Sequence, residues 1–166
     1  MRKISLALSP TLLALVAVGC QPPPPEMAPE RTTEEVEAAF DAVRTEWEAL
    51  ANADDAAAVA AFYTEDAVFV DAYGNVYNGR AAIQGYLEAS LPTGSGLTIQ
   101  KSDMVFHGDM VATSGTFSQM VPGPEGEEAM TGLWQTVSFF QPDGSILIRM
   151  HQTMLPAEPP PEMPDM

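Results

Sequence analysis

Phe62-Tyr63-Thr64-Glu65-Asp66-Ala67-Val68-Phe69-Val70-Asp71, followed by Ala72-Tyr73-Gly74-Asn75, joins a strand to a tight turn. From Ala67 to Asp71 it is rich in β-branched and aromatic residues, and Tyr73-Gly74-Asn75 is turn chemistry. Upstream the period is helical: Val36, Phe40, Val43, Trp47 and Leu50 recur on one face, and Thr32 with Glu35 forms a capping-box pattern. A first helix is therefore expected to run to about Ala51. Asp54 and Asp55 can cap a second from Ala56 to Tyr63. Downstream, a third helix follows Gly79, from Arg80 to Leu91, and stops before Pro92.

From Leu97 the period changes to that of strands: Leu97 to Phe106, Met110 to Met120, Met130 to Phe140 and Ile146 to Met154. Between them lie His107-Gly108-Asp109, Pro122-Gly123-Pro124 and Pro142-Asp143-Gly144. The expected fold class is α+β, with three N-terminal helices on one face of a curved antiparallel sheet. In the third long strand, alternation puts Trp134, Thr136, Ser138 and Phe140 on one face and Leu133, Val137 and Phe139 on the other. Both faces carry large apolar groups, so either a partner subunit covers one of them or a two-layer monomer leaves some apolar groups exposed.

The chain has 166 residues, with 23 acids against 7 bases for a formal charge of -16. Such a surface repels phosphate backbones, so nucleic acid is not an expected partner. The single cysteine excludes an internal disulfide and multi-thiolate metal sites. An apolar content of 46% is enough to build a core.

Both ends differ from this middle. Met1-Arg2-Lys3 is a basic head, and Leu12 to Gly19 an apolar run too short to span a bilayer, so residues 1–19 read as a secretion signal. Ala17-Val18-Gly19-Cys20 resembles a bacterial lipobox, although such boxes favour Leu where Ala17 stands. The resemblance implies cleavage before Cys20 and lipid on its thiol, tethering an exported protein to a membrane. Gln21 in place of Asp resembles the pattern that sends lipoproteins of Gram-negative bacteria to the outer membrane, facing the periplasm. A plain secretory signal with an incidental cysteine is the alternative. Loss of Arg2 and Lys3 with the leader would leave 5 of the 7 bases against 23 acids, a charge of -18. Residues 20–31, with Pro22 to Pro25 and Pro29, read as a semi-rigid spacer, and 156–166 as a disordered proline-rich tail. The folded domain is expected over 32–155.

Phe62 to Asp71, then Gly79-Arg80-Ala81-Ala82-Ile83, and Pro142-Asp143-Gly144 before the last strand resemble the nuclear transport factor 2-like superfamily, and within it the SnoaL-like, polyketide cyclase-like branch. The resemblance implies a cone whose concave face encloses a pocket, and a homodimer formed through the convex sheet face. It also implies that Asp71 occupies the place where ketosteroid isomerases of the superfamily carry the Asp that moves a proton beside a carbonyl. The helix position of their phenol donor is Trp47 here, and the strand position of their protonated acid is Thr136. An indole N–H and a hydroxyl are weaker donors than that pair. The paired donors of those isomerases are thus absent here, and aldol-type ring closure needs less of an oxyanion hole.

Asp71 has two readings: a base whose proton affinity rises at an apolar wall, or an acceptor that closes its own turn. His151 is the other candidate for catalysis. Alternation groups it with Leu147, Arg149 and Thr153, and the family register points that side into the pocket, where it could share a proton with Asp71, bind a ligand or join a polar core. His107 sits in a Gly-Asp turn and reads as a solvated loop residue. The expected ligand-binding lining is Trp47, Phe62, Phe69, Tyr86, Trp134 and Thr136, with Phe40, Ser114 and Thr116 around them; aromatic walls with few polar groups suit a small, partly apolar molecule. No motif calls for a metal or a cofactor. The readings left standing are a binding module for a small molecule or a partner protein, and a cofactor-free isomerase, cyclase or hydrolase using Asp71.

Overall fold

The computed structural model describes residues 31–156. The leader, Cys20, the proline run of the spacer and all of the tail beyond Pro156 lie outside the described residues. Helix α1 spans Thr33–Asn52, α2 Ala56–Ala60 and α3 Arg80–Ser90. The strands are β1 Tyr63–Val70, β2 Val76–Asn78, β3 Ser95–His107, β4 Met110–Gly123, β5 Gly126–Phe140 and β6 Ile146–Met154. Thr32 caps α1 as expected: its hydroxyl accepts from Glu35 N, and the Glu35 carboxylate accepts from Thr32 N at 2.8 Å. Asp55 caps α2 through Ala58 N. Arg31, at the expected end of the spacer, already belongs to the fold, paired with Asp109 at 2.6 Å and lying over the Phe140 ring.

The six strands form one sheet in the order β2-β1-β6-β5-β4-β3. The meander from β3 to β6 is antiparallel, as the periodicity predicts, but β1 joins β6 in parallel, so the sheet is mixed rather than wholly antiparallel. Two differences from the sequence reading place the site. Helix α2 ends at Ala60 instead of continuing to Tyr63. Tyr63 therefore opens β1, opposite Ile148, with its carbonyl held by Arg80 Nε at 2.7 Å. In β6, the register against β5 passes from Val137↔Met150 to Ser138↔Ile148, so Arg149 is an extra residue in a bulge.

That bulge resets the alternation. Ile146 and Ile148 face inward before it and His151 after it, so Leu147 and Arg149 do not share the His151 side as simple alternation predicts. In β5 the expected division holds, with Trp134, Thr136, Ser138 and Phe140 buried. The core has two parts. One gathers Val59, Tyr63, Ile83 and Leu87 around α2, α3 and β1; the other gathers Val36, Phe40, Val111, Trp134 and Phe140 between α1 and the long strands. On the outer sheet face Val105, Leu133 and Met150 stand exposed.

Candidate ligand cavity

Where the two parts of the core separate, the concave face leaves a cavity of about 630 Å³. Phe40, Arg44 and Trp47 of α1 form one wall, Tyr86 and Leu87 of α3 a second, and Phe69, Trp134, Thr136 and His151 of the sheet the floor. Exposed Thr93, Pro122 and Glu128 also border it, so it reaches solvent on that side. Gly115 makes room for the Trp134 indole, because a Cβ there would lie 2.8 Å from the ring and closer still to the Gln100 carbonyl. The indole N–H then donates to the Thr116 carbonyl at 3.1 Å, leaving its apolar face to the cavity.

Most of the expected lining is brought together here: Phe40, Trp47, Phe69, Asp71, Tyr86, Trp134, Thr136 and His151. Phe62 is a correction. Because α2 stops early, Phe62 falls in the connection before β1 and packs against the cluster around Val59 and Ile83, away from the cavity. Ser114 and Thr116 are corrections too, since they alternate with the inward residues Thr113, Gly115 and Phe117 and lie on the outer side of β4. The Thr136 hydroxyl is already engaged with Thr113 Oγ1 at 2.7 Å. His107 is exposed at the end of β3, as its turn setting predicts.

Asp71 borders the cavity with 4% of its surface exposed, but its oxygens are occupied. Oδ1 accepts from Tyr73 N and Asn75 N, both at 2.9 Å, and Oδ2 accepts from Asn75 Nδ2 at 2.8 Å and Tyr77 Oη at 3.3 Å. Burial pushes its proton affinity up; these bonds outweigh burial and hold the carboxyl below the ordinary aspartate range. Of the two readings of Asp71, the geometry is that of the turn acceptor.

His151 has another partner than the one proposed for it. Its Nδ1 lies 2.7 Å from the hydroxyl of Tyr63, a residue with no exposed surface and no place in the cavity lining. No hydrogen bond joins it to Asp71. Burial lowers the imidazole pKa to about 3 and raises the phenol far above its usual range. Both groups are thus neutral at any ordinary pH. Beside the phenol lies Trp47, whose Nε1 is sealed from solvent without a hydrogen-bond partner among the described residues. Phe69 and Trp47 stand edge-to-face with the His151 ring, at centroid distances of 4.8 and 6.0 Å. Sequence reading missed Tyr63, because a tyrosine at the end of an alanine-rich helical run looks like a helix residue. Among the described residues no three His, Cys, Asp or Glu side chains gather into a metal-binding group.

The SnoaL-like domain model matches residues 36–147, most of the described chain. The chain belongs to the SnoaL-like domain family. No curated protein matches it. Solved structures share this SnoaL-like fold at low identity. Rv3472 of Mycobacterium tuberculosis, a protein of unknown function, is 20% identical over 78% of this chain and 82% of that one, with a TM-score of 0.65. A ketosteroid isomerase-like protein from Erwinia carotovora atroseptica is 16% identical over 76% and 100%, with a TM-score of 0.63. A nuclear transport factor 2-like protein with a cystatin-like fold, from Novosphingobium aromaticivorans, is 15% identical over 72% and 83%, at 0.58. At these identities the likeness shows the architecture, and activity has to be argued from the cavity.

Proposed function

We propose that this SnoaL-like domain is an exported, lipid-anchored binding module whose cavity takes up a small, partly apolar molecule. The observation that carries the reading is an aromatic cavity of about 630 Å³ whose bordering carboxylate, Asp71, is consumed by its own turn. A cavity of this size and lining suits a ring-sized organic ligand. A general base needs a free lone pair and a pKa near working pH. Asp71 is held the other way, and His151 is too weakly basic to replace it. Those facts weigh against the competing reading, a cofactor-free isomerase, cyclase or hydrolase with Asp71 as base.

Export and anchoring rest on residues 1–20, where the basic head, the short apolar run and Cys20 support a lipidated N-terminus at a bacterial membrane, facing the periplasm. The exposed Val105, Leu133 and Met150 on the convex face support packing of a second copy there. The test is a thermal-shift screen of the exported chain against neutral aromatic metabolites, with Asp71→Asn alongside wild type. A binder keeps its ligand-induced stabilisation in Asp71→Asn. An enzyme relying on that carboxylate loses turnover by about two orders of magnitude or more. Fractionation of wild type and Cys20→Ser checks the anchor: the variant is expected to leave the membrane fraction, and retention there would refute lipidation at Cys20.

A further inference from the structure

We infer that the cavity selects its occupant by one donated hydrogen bond, from Nε2–H of His151, and that the occupant is a neutral ring compound bearing a carbonyl or another acceptor-only group. The inference rests on the binding reading above and supplies the chemistry of the ligand. It follows from the polarity of a short buried chain of groups. The Tyr63 hydroxyl is fully buried and has one partner among the described residues, Nδ1 of His151 at 2.7 Å. Were the imidazole proton on Nδ1, the phenol O–H would have no acceptor, and a buried donor would be left unsatisfied. The phenol therefore donates to Nδ1, and the proton of the neutral ring sits on Nε2. Trp47 fits the same direction, because its indole N–H is a donor only and lies beside a phenol oxygen that can still accept.

Nε2 has no hydrogen-bond partner among the described residues, and the ring to which it belongs lines the cavity while Tyr63 does not. A donor in a wall made by Phe69, Trp47 and Tyr86 calls for an acceptor brought by the ligand. An ammonium cannot use a donor. A carboxylate would need a countercharge; Arg44, a cavity-lining cation whose Nε has no hydrogen-bond partner among the described residues, already has its charge balanced by Asp41 and Glu48 at 3.8 and 3.7 Å, and Asp71 and Glu128 add negative charge to the same lining. A neutral acceptor is what remains.

The test compares 1-tetralone with tetralin, its carbonyl-free analogue, by quenching of the fluorescence of Trp47 and Trp134, the two tryptophans of the chain, both on the cavity wall. Wild type is expected to hold the ketone about tenfold tighter than the hydrocarbon. His151→Phe keeps the aromatic surface but not the donor, and should erase that ratio while tetralin still binds. Tyr63 is a positioning residue: Tyr63→Phe frees the tautomer, so the ratio should fall and the ¹⁵N spectrum of His151 should change from one Nε2-protonated form to a mixture. If His151→Phe does not fold, Tyr63→Phe and the ¹⁵N spectrum decide. Equal binding of the two probes by wild type, or a proton on Nδ1, overturns the inference and leaves the cavity reading intact. Failure of both probes to bind overturns both.

Discussion

Asp71 and His151 border the same cavity and are both almost completely buried, yet they stand in opposite states. The carboxylate at the end of β1 has four donors directed at it from Tyr73, Asn75 and Tyr77, all within six residues along the chain. The imidazole on β6 has one partner, the Tyr63 hydroxyl, 88 residues away in sequence, and one nitrogen without any. What distinguishes a group available to a ligand is the hydrogen-bonding capacity left after the fold has taken its share, and residue type alone does not show that. By type, Asp71 is the sharper candidate for chemistry; by remaining capacity, His151 is.

The contrast can be broken most forcefully with acid. Burial drops His151 from its ordinary 6.5 to about 3, so the unfolded chain binds a proton between those values and the folded one does not. Stability is complete above pH 6.5 and falls as pH decreases toward the folded value, by roughly a few kcal/mol across the window. Urea denaturation of His151→Phe between pH 4 and 7 should show that slope flattened. Asp71, whose pKa is lowered from 3.8, adds stability that is complete above 3.8 and is lost only below it, as pH falls through the folded value. Its substitution should leave the pH 4 to 7 slope alone.

The next effect in size is at the turn. Asp71→Ala strips the acceptors from two backbone N–H groups, the Asn75 amide and the Tyr77 hydroxyl, and should cost about 2–3 kcal/mol by chemical denaturation. A loss below about 0.5 kcal/mol would mean that the turn does not depend on this carboxylate. The smallest is on the other side of the comparison. Tyr63→Phe leaves Nδ1 of His151 without its donor and should cost about 1–2 kcal/mol, with the secondary structure unchanged by circular dichroism.

How far the sequence carries follows from the range of the interactions involved. Thr32 with Glu35, the period of α1 and the alternation of β5 are local, and each is where it reads. The parallel pairing of β1 with β6 joins segments some 80 residues apart, the Arg149 bulge arises where β6 meets β5, and no local pattern marks either. They are what decide the face of His151 and bring Tyr63 to it. Phe62 and Tyr63 exchange roles for a similar reason: whether α2 continues past Ala60 is settled by the Ile148 N–H reaching the Phe62 carbonyl, a bond made across the chain. Asp71 was legible as two alternatives because an Asp before Tyr-Gly-Asn serves a turn as readily as a wall, and only the positions of Asn75 and Tyr77 separate them.

The most direct test is the ionisation of Asp71 itself, followed by NMR through its side-chain carboxyl carbon as pH is lowered on the folded chain. A carboxylate spent in its turn titrates below 3.8, the ordinary value for the residue. A midpoint raised above that value toward neutrality would mark a poised base and contradict the account.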